Sequence, residues 1–576
     1  MKKIFPLLCG MCFSLLLAAQ PRTKEPFTQQ DWEKLSPQAK DSINKKIFMQ
    51  FEEARQKVVS QDEANALRII SDALQNPTAT HSLSLHSFPK NRLPLEISSL
   101  RELEEFTCMR CSGLDLYELF LQLSSFPKLK KMNLSGGSFK VMPGNISGLK
   151  QLEELHLKDN NFVTLPDSFS LLKNLRVLNL EHNPYLYDEP VYDRLLTMNV
   201  EELNLSASGY FELHPKIGNL KSLRKLDVSV NDIKTIPATV SQLTSLERLE
   251  ISQNKNLNLT QVVVTLSTLP SLKELHAQEC DITNLPLEIG TLTSLYQLNL
   301  KANRLTSLPI NFGGLTNLEC LDLGYKEMGT RMNKITDLGP GFIQLTKLKF
   351  LNLAGNSLTA LPQGFSNLIR LDTLILQLNQ LNSFPVAITE LKNLRYLDLS
   401  LNEINSIPES VANLSALQIL RLDGNFFLKA DNKIKALPDA VCRLSSLHTL
   451  SLKDHAIEHL PDCIGDLNSL EHLYLRDNLL SQLPPTLTKL KKLQTLDLKA
   501  NELIGLPPGF QNLSRLTELN LSMNIKFKYA AELPVLQSMK QLSLLDMSYN
   551  NITREEITLL RQALPDCKVL NWDYKR

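Results

Sequence analysis

Cys108-x-x-Cys111 is the pattern in this chain best suited to chemistry, because two thiols at that spacing can exchange electrons or grip a metal ion. Cys108 nevertheless fills a position otherwise held by a core leucine, and Cys111 one otherwise held by asparagine, so packing accounts for both. Cys280 takes the asparagine position in the same way. The histidines His156, His276 and His472 are isolated along the chain, and His455 stands in another asparagine position. No phosphate-cradling glycine loop, zinc-protease helix motif or nucleophile elbow is present. Catalysis therefore has little to stand on. No catalytic residue, metal site or cofactor is expected, and a hydrolase is the remote alternative.

These residues are placed by a unit of about 23 residues that recurs from Thr80 to the C-terminus and reads L-x-x-L-x-L-x-x-N-x-L-x-x-L-P. One clean copy runs Leu295, Leu298, Leu300, Asn303, Leu305, Leu308, Pro309, and the next anchor is Leu318. The Leu-x-Leu core alternates with period two, the mark of a strand with one buried face. Strands one repeat apart must then lie parallel. Asparagine at the ninth place, as at Asn160, Asn183, Asn303, Asn402 and Asn501, carries donors and an acceptor that can satisfy backbone groups where the chain leaves the sheet. Leu-Pro fixes an extended return segment. A further apolar residue, such as Ile217, Ile289, Phe312, Phe365, Ile388, Val411 or Phe510, closes the far wall. One repeat cannot bury these groups alone, so stacking supplies the core.

This pattern resembles the leucine-rich-repeat family, of the 23-residue Leu-Pro type, over most of the chain. The resemblance implies an α/β solenoid: a right-handed horseshoe with a parallel sheet on its concave face. Copies at Leu103, Leu175, Leu246 and Leu516 are two or three residues longer, and return segments such as 115–125 and 259–269 read as helical. Copies at Leu318 and Leu417 carry insertions near 326–332 and 425–431, expected to protrude as loops. The domain reading is 1–19 signal peptide, 20–79 helical N-terminal cap, 80–566 about twenty repeats, and 567–576 a terminal half repeat. The signal peptide rests on Lys2 and Lys3, an apolar run to Leu17, and the small pair Ala18 and Ala19. The cap rests on Ser36-Pro37 and on Ser60 with Glu63 as a capping box.

With 62 basic and 61 acidic residues the chain is near neutral, which argues against nucleic acid and against a polybasic membrane contact. No permanent transmembrane anchor is read from the sequence. Nine cysteines fall to an odd seven without the signal peptide, and no disulfide-rich end cap is evident. Secreted animal members of the family this chain resembles usually carry disulfide-rich end caps, so the resemblance together with the signal peptide implies a bacterial exported protein that is periplasmic, displayed on the cell surface or secreted.

Residues three, five and seven of each repeat face outward, and about twenty strands spaced ~4.8 Å lay out a surface on the order of 95 Å long. That extent suits a macromolecule. The fifth position is mostly Asn or Asp (Asn133, Asn204, Asp227, Asn299, Asp322, Asp398, Asp497, Asp546) and reads either as a binding ladder or as cross-strand hydrogen bonding. Lys453, Arg476 and Lys499 form a basic row that could draw an anionic partner, with Asp454 and Asp477 beside it as compensation. One stretch is apolar instead. Phe350, Ile375, Tyr396 and Ile419 lie at outward positions, Tyr325, Leu378 and Leu401 at strand exits, and Phe426 and Phe427 in the second insertion. Apolar surface left in water costs about 25 cal/mol per Å² relative to burial, so a contiguous patch points to a contact area or to a loop folded over it. These nine residues are the candidate site for a protein partner. A surface adhesin or glycan-recognition module is the alternative.

Overall fold

The computed structural model describes residues 61–186, 189–326, 332–425 and 433–572. The signal peptide, residues 20–60 of the proposed cap, nearly all of both insertions, and Phe426 and Phe427 lie outside the described residues. The chain divides into two compact units, residues 1–186 and 187–576.

In the first unit a helix α1 over 61–75 buries Ala66 and Ile70. Its Glu63 meets Lys90 at 2.8 Å. Five strands follow: β1 (Ser82–His86), β2 (Glu105–Met109), β3 (Lys131–Asn133), β4 (Glu154–His156) and β5 (Val177–Asn179). Each pairs in parallel with its sequence neighbour, so Phe106 lies beside Met132 and Leu155 beside Leu178. The second unit repeats the arrangement from β6 (Glu202–Asn204) to β21 (Lys568–Leu570). Its neighbouring strands are likewise parallel and in register, for example Leu374 beside Leu397 beside Leu420. Each unit is an α/β solenoid.

Strand burial follows the period-two expectation. In Thr373–Ile375, as in most three-residue strands, the central leucine is fully buried and its neighbours are half-exposed. Across the core, Phe312, Phe342 and Phe365 stack with ring centroids 6.4 and 6.5 Å apart and planes within 5°. Ile388, Val411 and Phe510 occupy the same place in other copies and are fully buried. The return segments differ from a plain extended run. The proline carbonyl accepts the N–H three residues on, at 2.9 Å between Pro309 and Phe312, and a short 3-10 helix (Ile310–Gly314) begins at the next residue. Proline's fixed φ suits it to cap such a turn, with Pro309 at φ −70° and ψ 154°. Longer copies have room for a full α turn, giving α2 (Leu116–Leu123), α3 (Glu189–Leu195), α4 (Leu259–Leu266) and α5 (Tyr529–Ser538). Asp115 caps α2 and Asn258 caps α4 through their side-chain oxygens. Near the C-terminus α6 (Arg554–Ala563) starts with a Thr553–Glu556 capping box.

The ninth-place asparagine joins one copy to the next. Asn402 donates from its amide nitrogen to the carbonyls of Leu376 and Leu399, both at 2.9 Å, and its oxygen accepts the Leu381 N–H at 3.1 Å. Asn160, Asn231, Asn303 and Asn478 repeat this set. Just before the asparagine the chain bends through the left-handed region, at Leu401 with φ 57°, Leu378 with φ 56° and even the β-branched Val230 with φ 56°. That conformation is costly for such residues. It is offset by a backbone bond into the next copy, as from Leu401 N–H to Asp423 C=O at 2.7 Å.

Replacing Asn402 with alanine strands a buried N–H and two carbonyls, each worth about 1–3 kcal/mol when unsatisfied. The expected loss in urea unfolding is about 3 kcal/mol, against less than about 1 kcal/mol for Asn393→Ala on the exposed return side. Equal losses would show that the ladder does not hold the stack.

Candidate functional site

Four of the nine candidate residues sit on the outward face of neighbouring strands in the second unit: β12 (Phe350–Asn352), β13 (Thr373–Ile375), β14 (Tyr396–Asp398) and β15 (Ile419–Arg421). Strand register puts Phe350, Thr373, Tyr396 and Ile419 in one row and Asn352, Ile375, Asp398 and Arg421 in the next. Phe350, Ile375, Tyr396 and Ile419 are therefore brought together. They are half-buried rather than openly exposed, because three-residue strands stand close enough for each side chain to lean on its neighbours.

Tyr325, Leu378 and Leu401 belong to a separate row at the strand exits and are also half-buried. The seventh-position residues Ala354, Gln377 and Ser400 divide the two rows. Tyr325 lies over Gly355, where a Cβ would come within 2.7 Å of the tyrosine. Gly355 also has φ 67°, so both the ring's place and the backbone turn require glycine.

The Asn/Asp column performs a local task. Its side-chain oxygens mostly accept the N–H two residues further along the same strand exit, as from Ser206 to Asn204 at 2.8 Å, Ser229 to Asp227 at 2.9 Å and Ser400 to Asp398 at 2.9 Å. This Asx-turn geometry comes first because a short polar side chain readily reaches its own backbone, and cross-strand bonding accompanies it at Asp322 with Asn352 and at Asn299, which donates to Gln278 at 3.3 Å. Burial pushes the Asp322, Asp398 and Asp497 carboxyls above the usual range.

The basic row is compensated differently from the sequence expectation. Arg476 meets Asp477 at 3.2 Å, but Lys453 turns to Asp423 at 3.6 Å instead of Asp454, and its ammonium lies 4.7 Å above the Tyr474 ring. Arg421 and Asp423 were not singled out from sequence. Arg421 carried a signal, since it puts an arginine in a column that is mostly Asn or Asp.

His276 is not isolated. Its ring is buried between Glu250 at 3.4 Å and Glu274 at 3.6 Å, and desolvation holds its pKa below the ordinary value. His472 stacks on Tyr474. Among the described residues no group of three His, Cys, Asp or Glu is placed to hold a metal ion. Cys108 and Cys111 are both fully buried and joined in a disulfide, and a second disulfide links Cys442 to Cys463 in the next copy. Cys280 is a free thiol whose sulfur lies 3.3 Å from the Ile251 carbonyl, and burial pushes its pKa up to about 12. It fills the asparagine place as a weak donor, far from a reactive thiolate.

Sequence profiles described as leucine-rich repeat region or leucine-rich repeat match residues 386–478, 127–184, 473–524 and 347–368. The chain is a leucine-rich-repeat protein. Among solved structures, a leucine-rich-repeat protein of Leptospira interrogans is 27% identical over 87% of this chain and 98% of its own, with a TM-score of 0.49. An internalin of Listeria monocytogenes is 25% identical over 62% of this chain and 89% of its own, with a TM-score of 0.44. A TDR receptor is 23% identical over 87% of this chain and 86% of its own, with a TM-score of 0.54, a likeness of fold. A search of curated proteins found no match.

His455 shows how this leucine-rich-repeat chain tolerates an exception. Its Nε2 faces the Leu422 carbonyl and its Nδ1 accepts the Ile434 N–H at 3.4 Å, which requires the neutral ring. Burial lowers its pKa below 6.5. The unfolded chain thus binds the proton first, so the stability contributed by the neutral ring is complete above about pH 6.5 and is lost as pH falls toward the lower folded value. Thermal melts between pH 8 and pH 5 are expected to fall more steeply for the native chain than for His455→Asn. Parallel curves would refute the assignment.

Proposed function

We propose that this leucine-rich-repeat protein is a non-enzymatic binder of a protein partner, outside the cytoplasm, through the outward sheet face around β12–β15. The observation that carries the reading is the register of Phe350, Tyr396 and Ile419 in one row with Ile375 beside it, half-exposed on neighbouring strands. Most strands of both units offer Lys, Glu, Gln, Thr, Asn or Asp at these places. Aromatic and aliphatic groups grouped on a rigid sheet suit a hot spot, because they are already ordered and lose water on contact. Tyr325, Leu378 and Leu401 extend the contact along the strand exits, and Phe426 and Phe427 are proposed to join it.

Two further observations support export. The first nineteen residues read as a signal peptide. Two disulfides fit an oxidising compartment. Among the described residues no helix is long and apolar enough to cross a membrane. We place the protein in the periplasm, on the surface or in the medium of a bacterium. The 20–79 segment is proposed as the N-terminal cap, with α1 as its described part.

The test is affinity capture from host and culture extracts with the native chain, Phe350→Ala and Tyr396→Ala, quantified by mass spectrometry. A hot-spot truncation costs about 2 kcal/mol, so a protein retained by the native chain is expected to bind each variant about thirtyfold more weakly. Retention that is unchanged in both variants, or lost only when the Asn/Asp column is altered, would move the site elsewhere and favour glycan.

A further inference from the structure

The charged residues of this sheet mostly close into tight pairs across neighbouring copies. Lys131 meets Glu154 at 2.8 Å, Lys225 meets Glu202 at 2.7 Å and Lys349 meets Glu319 at 2.9 Å. From β14 through β17 (His472–Tyr474) the pattern changes. Arg421 stands 3.7 Å from Asp398 and 3.9 Å from Asp423, and Lys453 stands 3.6 Å from Asp423. These separations lie beyond hydrogen-bond reach.

The acids in question are occupied and sunk. Asp398 is 4% exposed and accepts the Ser400 N–H, while Asp423 is 13% exposed and accepts the Ser451 hydroxyl and the Lys453 N–H. The cations stand further out, with Arg421 40% and Arg476 43% exposed. Arg476 does approach Asp477, but its Nε has no hydrogen-bond partner. Asp398 and Asp423 lie below and the guanidinium groups above, while Asp477, 38% exposed, stands level with Arg476, so the basic surplus of the outer layer is centred on Arg421 and Lys453. A guanidinium presents a planar fork of donors suited to an incoming carboxylate, and a half-exposed one is only partly stripped of water beforehand. The fork of Arg421 is beside Tyr396 and one register step from Ile419, so cation and apolar row form one continuous surface.

We propose that the partner presents an acidic segment here, its carboxylates received by Arg421, Lys453 and Arg476 and its apolar side chains set against Phe350, Tyr396 and Ile419. This rests on the protein-binding reading above and adds the chemistry of the bound segment. Lys499, next in the basic row after Arg476, extends the surface toward β18 (Thr495–Asp497).

The test uses random short peptides displayed on phage and selected on the immobilised full chain, with synthesised winners measured by calorimetry at low and high salt. Expected winners combine Asp or Glu with aromatic or aliphatic residues. Their affinity should fall about tenfold or more in Arg421→Gln/Arg476→Gln, weaken with salt, and fall again in Tyr396→Ala. Both arginines are solvent-facing, so the double variant is expected to melt with the native chain, and a melting control verifies this. Winners that lack acidic residues, or that ignore the arginine changes while still losing affinity in Tyr396→Ala, would overturn the acidic segment and leave the protein-binding reading standing. Winners indifferent to all three substitutions would overturn both. Selection of no peptide together with retention on a sulfated-glycan column lost in the arginine variant would assign the face to polyanionic glycan and overturn the proposal.

Discussion

A buried side-chain amide that speaks to two copies of the repeat at once is the constraint on which this structure depends. Each strand is three residues long in most copies, too short to hold its neighbours by ladder bonds alone. The chain must also leave the sheet inside the protein, where unpaired peptide groups are expensive. Asparagine resolves both problems, because its two donors and one acceptor match the two carbonyls and one N–H left over at each turn. Positive φ at the residue before it is part of the same arrangement, tolerated even at Leu401 and Val230 because the bend aims the amide inward. The exceptions obey the same rule. His455 supplies one donor and one acceptor, Cys280 a weak donor, and Cys111 closes onto Cys108.

This scaffold consumes most of the polar groups that a sequence reader would offer to a ligand. The oxygens of the Asn/Asp column are spent on N–H groups two residues on, and most lysines and arginines of the sheet are spent on glutamates and aspartates of adjacent copies. What remains for recognition is set by departures from the repeat. Phe350, Tyr396 and Ile419 replace the usual polar residues of their row, and Arg421 replaces an Asn or Asp. With Ile375 on β13, the departures occur on adjacent strands, which is what gives them a common surface. Their half-burial limits the area any single one offers, so affinity there must be assembled from several side chains and from charge.

The amino-acid sequence alone determined the repeat, the parallel strands, the buried leucines, the task of the asparagine, and the helical return segments of the longer copies, because each is a local preference repeated about twenty times in phase. It also placed Phe350, Ile375, Tyr396 and Ile419 on the outward side, since period two admits only one alternative. Tertiary structure decided how these groups are used. Whether Asp398 bonds across strands or to its own backbone, whether Lys453 turns to Asp454 or Asp423, and whether His276 stands alone or between Glu250 and Glu274 all depend on side-chain reach between copies. A linear pattern fixes which residues face the same way, but distances of 3 or 4 Å between residues more than twenty apart arise only when the copies are stacked.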